Sequence, residues 1–220
     1  MDLATLRSEA DAARLALRGA CHLIAADGID GGTLVLLGVT GDIGWSGFAA
    51  SPEAADGMAD PLDRWSRRVI DALAARVGGT ALYPFGGPPW HPFQRWAMRA
   101  EPVHPSPLGI LIHPDWGLWH SYRGALALPE RLALPPPDLR ASPCADCTAR
   151  PCLGACPVGA FTASGYDVAG CAAHIAAPVG AECMSEGCRA RHACPVGVAH
   201  RHAAAQAGFH MRAFRTARAV

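Results

Sequence analysis

Eight of the nine cysteines lie between residues 144 and 194, and this crowding constrains the fold more than any other feature of the chain. They form two degenerate copies of one motif. The first copy is Cys144-x2-Cys147-x4-Cys152-x3-Cys156 followed by Pro157, and the second, with wider gaps, is Cys171, Cys183, Cys188 and Cys194 followed by Pro195. Because such close spacing lets one loop supply several ligands, the sequence predicts a loop-dominated, metal-binding region.

The remainder of the sequence indicates a cytoplasmic chain with no membrane partner. The N-terminus, MDLATLRSEADAARLALRG, is polar and lacks the apolar core of a signal peptide. The longest apolar run, residues 33–39, is too short to cross a bilayer. Since cytoplasmic thiols stay reduced, the cysteines indicate metal binding or catalysis rather than disulfides.

The two runs resemble the bacterial two-cluster ferredoxin module, in which C-x2-C-x2-C-x3-C-P occurs twice and each fourth cysteine ligates the other cluster. The resemblance implies two [4Fe–4S] clusters, the first held by Cys144, Cys147, Cys152 and Cys194, and the second by Cys171, Cys183, Cys188 and Cys156. This chain departs from the pattern by two additional residues before Cys152 and by a stretched second run. Backbone N–H groups in residues 158–160 and 196–198, after each Cys-Pro, are expected to donate to cluster sulfurs and tune the reduction potential.

Two other interpretations of the cysteines stay open, a single cluster beside another site and a zinc site. A zinc ribbon is built from two C-x2-C pairs, whereas this chain has one such pair and two Cys-Pro endings. The ninth cysteine, Cys21, is expected to be a small buried hydrophobe. His200 and His202 are two residues apart in a predicted helix and do not share a face, so they are expected on a solvated surface.

Apolar periodicity predicts an α+β fold with two domains. The predicted elements are helices at 3–26, 61–77 and 198–220, buried strands at 33–39 and 109–112, a strand or strand-turn-strand unit at 118–128, a loop at 83–93 and a linker at 135–137. The predicted domains are residues 1–137, with helices and strands, and residues 138–220, loop-rich around the cysteines and ending in a helix.

Residues 109–129, GILIHPDWGLWHSYRGALALP, carry a second resemblance. They are similar to the core motif of CblC-type cobalamin-processing proteins, roughly G-x-x-I-H-P-x-x-G-x-W-x-x-x-R-G-x-x-x-L-P. The matching positions are Gly109, Ile112, His113, Pro114, Gly117, Trp119, Arg123, Gly124, Leu128 and Pro129. Upstream, Phe93-Gln94-Arg95 lies at the spacing of that family's aromatic-Gln-Arg segment, while Trp90-His91-Pro92 replaces its tyrosine-rich approach.

A CblC-like domain followed by two clusters also resembles the cores of epoxyqueuosine reductases and reductive dehalogenases. The combination implies a nitroreductase-like sheet-and-helix domain at 1–137, with a base-off corrinoid against the sheet and a cluster near its cobalt. On this resemblance, the cobalamin would be contacted by Gln94, His113, Trp119 and Arg123. Arg123 would also be catalytic, binding the carboxylate of a thiol co-substrate. The residues alone leave open a structural salt bridge for Arg123, a satisfied core position for His113 and plain packing for Trp119.

Three functions follow as hypotheses. The first is an oxidoreductase that passes electrons from two clusters to cobalamin, reducing it or removing its upper ligand. The second is a ferredoxin-like electron carrier whose N-terminal domain docks a partner and binds no corrinoid. In either case an upstream reductase or flavoprotein would be the electron donor, and the nitroreductase-like fold suggests a homodimer. The third, an epoxyqueuosine-reductase-like tRNA modification, is disfavoured because 19 basic and 19 acidic residues leave no general basic field for nucleic acid.

Overall fold

The computed structural model describes residues 1–41, 43–162 and 164–218, which divide into two compact units. Unit 1 contains Met1–Pro102 and His120–Leu139. Unit 2 contains Val103–Trp119 and Arg140–Val220. The predicted α+β class is confirmed. Residues 103–119, which the sequence analysis assigned to the first domain, pack with the cysteine-rich unit.

Short helices and strands dominate the described chain. The helices are α1 (Leu3–Ala12), α2 (Trp45–Ala49), α3 (Pro52–Ala55), α4 (Pro61–Val77), α5 (Phe93–Ala100), α6 (Pro151–Gly154), α7 (Val168–Ala176), α8 (Ala181–Glu186), α9 (Arg189–His192) and α10 (Ala204–Thr216). The strands are β1 (Ala16–His22), β2 (Thr33–Thr40), β3 (Thr80–Leu82), β4 (His104–Pro105), β5 (Leu111–Ile112), β6 (His120–Leu128), β7 (Phe161–Thr162) and β8 (Gly165–Tyr166). None of the helices in the described ranges has the length and apolar content needed to cross a bilayer.

Unit 1 is built on a four-stranded antiparallel sheet in the order β1-β2-β6-β3. Every residue of β2 is buried, as expected for a continuous apolar run in the interior of a sheet. The strand predicted at 33–39 is confirmed, and the segment predicted at 118–128 forms the single strand β6. The helix predicted at 61–77 is confirmed as α4. It begins with Pro61 and ends before Gly78, a glycine whose backbone is in the left-handed conformation.

The single helix predicted at 3–26 is wrong. Helix α1 ends at Ala12, Arg14 adopts a left-handed conformation with φ 59°, and strand β1 follows. After Arg14 the buried apolar residues are Leu15, Leu17, Cys21 and Leu23, two residues apart on either side of a bulge between Leu17 and Gly19. This alternation is the strand period, and pairing with β2 overrides the helical propensity of the alanines and leucines. Cys21 is buried, as predicted.

Unit 2 combines two short hairpins, β4–β5 and β7–β8, with helices α6 to α10. The strand predicted at 109–112 is wrong in length, because Gly109 lies in a turn with φ 74° and only Leu111 and Ile112 are paired. The helix predicted at 198–220 is also interrupted. A 3-10 turn at Val198–His200 is followed by extended backbone at Arg201, and α10 begins at Ala204. The last two residues of that prediction, 219 and 220, lie outside the described residues.

Candidate metal centres

Eight cysteines of unit 2 line two separate cavities, four in each. The first cavity, of 20 Å³, is lined by Cys144, Cys147, Cys152 and Cys194. The second cavity, of 470 Å³, is lined by Cys156, Cys171, Cys183 and Cys188. The two sets do not follow the order of the sequence. Cys156 ends the first run but lines the second cavity, and Cys194 ends the second run but lines the first cavity.

Short helices bring the first set of thiols together. Helix α6 opens with Pro151 and buries Cys152, while Cys144 precedes it in a turn. Helix α9 ends two residues before Cys194, and α6 and α9 pack on each other. The thiols of Cys152 and Cys194 join a small apolar core with Leu108, Ile112 and Leu118. A few apolar contacts therefore hold cysteines that are far apart in sequence.

The second set is spread over three helices, which explains its wide sequence gaps. Cys171 lies in α7, Cys183 lies in α8, and Cys188 precedes α9 as its N-cap. Cys156 reaches the same cavity from the loop after α6. Helix α10 packs on α7 and α8 and adds Met211 and Phe214 to the wall of the cavity.

Hydrogen-bond donors approach the sulfurs of the second set. The backbone N–H of Ala160 donates to the Sγ of Cys156 at 3.3 Å, as was expected for the segment after Cys156-Pro157. The Nε2 of His174 lies 3.8 Å from the Sγ of Cys183. Burial and then a hydrogen bond with Cys171 raise the pKa of Tyr166. These donors face the atoms that would carry negative charge if the thiols ionised.

Two cysteines of each set have raised pKa values, so their thiolate forms are disfavoured. Burial raises the pKa values of Cys144 and Cys152, and the neighbouring cysteines of the first set raise them further. Burial likewise raises the pKa values of Cys183 and Cys188, and Cys171 adds to the effect. Burial and neighbouring thiols therefore disfavour the charged form of Cys144, Cys152, Cys183 and Cys188, whereas a bound metal ion would favour it.

Within residues 1–41, 43–162 and 164–218, no group of three or more His, Cys, Asp or Glu side chains converges closely enough to coordinate a single metal ion as it stands. The cysteines of each set line a cavity, and their sulfurs do not converge on a single metal position. Their chemistry is that of soft thiolate donors, which suits iron–sulfur clusters and zinc.

Arg123, the predicted catalytic residue, lies in unit 1 and is half-buried. Its Nε donates to the Oγ of Ser66 at 2.9 Å, and its Nη2 pairs with the carboxylate of Asp63. The guanidinium also lies 5.2 Å from the ring centroid of Phe85. Burial lowers the pKa of Arg123, and Asp63 opposes that shift. This geometry is that of the structural salt bridge which the sequence left open.

The other predicted corrinoid contacts have different surroundings. Gln94 is exposed in the first turn of α5 in unit 1. His113 and Trp119 belong to unit 2, and both are buried. The Nδ1 of His113 accepts the backbone N–H groups of Asp115 at 3.0 Å and Trp116 at 3.3 Å, which is the satisfied core histidine left open by the sequence.

A cluster of rings in unit 2, here called the histidine box, comprises the buried Trp119 and His202 and the half-buried His192 and His210. Ring centroids are 4.8 Å apart for Trp119 and His192, 5.2 Å for Trp119 and His202, and 5.5 Å for His202 and His210. Within the described part of the chain, Trp119 Nε1 and both ring nitrogens of His202 are buried with no hydrogen-bond partner. The predicted solvated position of His202 is therefore wrong, because the break at Arg201 lets its ring pack inside. Sequence periodicity carried no signal for this box.

Unit 1 holds a second polar group that the sequence analysis missed. The guanidinium of Arg18 pairs with the Glu101 carboxylate at 3.0 Å, and the Tyr122 hydroxyl donates to the same carboxylate. Both charged side chains are buried. Burial raises the pKa of Glu101, while Arg18 opposes the shift. Three such residues, distant in sequence, give no pattern from which their association could be predicted.

Comparison with known proteins finds no matching family model, no matching curated protein and no matching solved structure. The interpretation of the two cysteine sets therefore depends on their residues and their geometry.

Proposed function

We propose that this chain is an iron–sulfur electron-transfer protein whose unit 2 holds two [4Fe–4S] clusters. The first cluster would be held by Cys144, Cys147, Cys152 and Cys194, and the second by Cys156, Cys171, Cys183 and Cys188. The observation that carries the proposal is the division of the thiols into two fours, with Cys156 and Cys194 exchanged between the runs. This exchange is the ligation pattern of two-cluster ferredoxins.

The residues fit such a cluster by their chemistry. Each set supplies four cysteines, the ligand number of a [4Fe–4S] cluster. The backbone N–H of Ala160 donates to a sulfur of the second set, and His174 Nε2 lies within hydrogen-bond distance of another. Bound clusters would supply reversible one-electron transfer, while these donors and the buried surroundings would tune the potential.

Electron transfer to a corrinoid on unit 1 stays a hypothesis that depends on the resemblance alone. The guanidinium of Arg123 is engaged by Asp63 and Ser66, and the Nδ1 of His113 is engaged by backbone donors. An anaerobic titration with hydroxocobalamin, followed by visible absorption, tests it. Saturable binding with a base-off spectrum would support a corrinoid enzyme, whereas the spectrum of free cobalamin throughout would leave electron transfer as the function.

Iron and acid-labile sulfide analysis of anaerobically reconstituted protein tests the proposal. The wild type is expected to hold about eight iron atoms per chain. The pair Cys144→Ala/Cys147→Ala and the pair Cys171→Ala/Cys183→Ala should each retain about four. Cys21→Ala is the matched control, because it removes a buried cysteine of unit 1 and should retain the full iron content. Zinc without sulfide in the wild type would contradict the proposal.

A further inference from the structure

The C-terminal part of the chain carries basic residues but no acidic ones. All 19 basic residues are arginine, and net charge is zero over the whole sequence. Residues 187–220 nevertheless contain six arginines and no aspartate or glutamate, so all 19 acidic residues lie before them. The C-terminal part of unit 2 is therefore a region of one sign, and such a region creates a field that reaches beyond contact distance.

Three of these arginines form a surface, here called the arginine rim, consisting of Arg212, Arg215 and Arg218. All three residues are exposed, and none of them takes part in an ion pair within the described residues. Arg215 follows Met211 by four residues, so helical spacing places it on the side of α10 that also lines the second cavity, and Arg218 lies two residues past the end of that helix.

An aromatic wall connects this rim to the second cysteine set. Phe161 stacks on Tyr166 at 4.7 Å, and Tyr166 lies 6.3 Å from Phe214, with all three rings lining the cavity. The guanidinium of Arg218 lies 5.8 Å from the Phe214 centroid. Tyr166 is 37% exposed, so the wall reaches solvent beside the rim. Phe214 thus contacts Arg218 of the rim and also lines the cavity that contains Cys156, Cys171, Cys183 and Cys188.

We propose that the arginine rim is the docking surface for a small one-electron carrier protein with an acidic surface around its own redox centre. This inference rests on the proposed function. It adds the class of the partner protein and identifies the second cluster as the one that is reduced first. Guanidinium groups pair with carboxylates in a bidentate manner, and opposite charges accelerate the encounter. A carrier docked here would face the second cluster through the aromatic wall.

The geometry favours an acidic protein over a nucleic acid. A phosphate backbone is bound by basic groups that track it over several nucleotides, whereas the rim is confined to the last part of one helix. The rim also lies beside the proposed second cluster, so a carrier bound there could exchange electrons with that cluster. Binding of tRNA at the rim is the alternative outcome that the experiment must detect.

The experiment uses the full-length, cluster-loaded protein and reduced flavodoxin, an acidic one-electron carrier, as the probe. The rim variant is Arg212→Ser/Arg215→Ser/Arg218→Ser. The matched control is Arg7→Ser/Arg95→Ser/Arg131→Ser, which removes three exposed arginines of unit 1 and changes the net charge equally. Stopped-flow absorption gives the second-order rate constant of cluster reduction between roughly 0.02 M and 0.3 M salt, the range over which screening becomes strong. Fluorescence anisotropy gives the affinities of labelled flavodoxin and labelled tRNA for each protein, with and without clusters.

The rim variant is expected to lower the rate constant at low salt by about tenfold or more and to remove most of its salt dependence. The control should change the rate less than about twofold. Reduction by photoexcited deazaflavin, a small reductant that needs no docking surface, should be equal in all three proteins. Equal loss in the rim variant and the control would overturn the inference, as would rim-dependent binding of tRNA without rim-dependent binding of flavodoxin. Absence of clusters in the wild type would count against the proposed function, while the anisotropy measurement would still decide the docking surface.

Discussion

Cys152 and Cys156 are four residues apart, yet their side chains line different cavities of unit 2. The chain turns after α6, so Cys152 stays in the apolar core around Ile112 while Cys156 faces the cavity beside α7 and α8. A single zinc ribbon has no need to divide one run of cysteines in this way. The division makes each cavity depend on both runs, and loss of either run should therefore affect both sites.

If the second cysteine set holds the proposed cluster, replacement of His174 beside Cys183 should lower the reduction potential of that cluster. The Nε2 of His174 lies 3.8 Å from the Cys183 sulfur, and donors of this kind stabilise the more negative, reduced state. We expect His174→Phe to shift the potential negatively by roughly 65–130 mV, the one-electron equivalent of one hydrogen bond to a charged group. A redox titration monitored by electron paramagnetic resonance measures the shift. His174→Gln keeps a donor and should retain most of the potential, and equal potentials in wild type and His174→Phe would contradict the assignment.

Gly117→Ala should release the loop that carries Cys194. A Cβ at Gly117 would lie 2.1 Å from the carbonyl oxygen of Val196, and the backbone there has φ 56°. Gly109→Ala is the matched control, because it has a similar φ of 74° but no atom within 4 Å of the added Cβ. The control should cost about 1–2 kcal/mol of unfolding free energy from backbone strain alone. Gly117→Ala should cost about 3 kcal/mol more and should lower the iron content of the first site. Chemical denaturation and iron analysis measure both effects, and equal costs for the two variants would argue against this contact.

Acid should destabilise the fold through His202. Burial, then Arg191, His210 and His192, lower the pKa of this imidazole to about 2 from an ordinary value of 6.5. A depressed folded-state pKa means that the unfolded chain binds the proton more readily, so the stabilisation is complete above pH 6.5 and is lost as the pH falls toward 2. Between pH 7.5 and 5.5 the loss should be about 1.4 kcal/mol.

The comparison of wild type with His202→Phe at these two pH values, by urea denaturation, isolates this contribution. The variant should lose about 1.4 kcal/mol less than the wild type on acidification. An identical pH dependence in both proteins would mean that His202 is hydrated or protonated in the folded state.

Substitution of Arg123 should affect the stability of unit 1. Its guanidinium holds Asp63 and the Ser66 hydroxyl on α4, and its side chain is only 12% exposed. Arg123→Met should lower the unfolding free energy by roughly 1–3 kcal/mol, since it removes the ion pair with Asp63 and the hydrogen bond to the Ser66 hydroxyl. Asp63→Asn retains a hydrogen-bond acceptor and should cost less. Urea midpoints measure both, and a stable Arg123→Met protein that has lost saturable cobalamin binding would favour the ligand-binding role instead.

The sequence was most informative where one local pattern decides the structure. Pro61 and Gly78 delimit α4, and the apolar run at 33–39 is a buried strand. It was least informative where distant pairing decides. Residues 16–22 have the composition of a helix, but their place beside β2 makes them a strand. The predicted C-terminal helix is interrupted at residue 201, and this break lets His202 pack against Trp119, a contact that spans more than eighty residues.

The candidate site shows the same division. Cysteine spacing singled out the eight thiols that line the two cavities. The ferredoxin resemblance implied which four belong together in each set. Neither pattern indicated that α10 would line the second cavity, nor that residues 103–119 would pack with the cysteine unit. The histidine box and the Arg18–Glu101 pair also depend on contacts across the fold, which one sequence does not reveal.

The most direct test of the central claim, that Cys156 serves the second cluster, is the iron content of two double variants. If Cys156 and Cys183 hold the same cluster, Cys156→Ala/Cys183→Ala should lose no more iron than either single variant, leaving about four atoms per chain. Cys156→Ala/Cys152→Ala should then lose nearly all iron, because it removes a ligand from each cluster. The reverse pattern would contradict the assignment of Cys156 to the second cluster. In that pattern Cys156→Ala/Cys152→Ala would keep about four iron atoms, and Cys156→Ala/Cys183→Ala would lose nearly all iron.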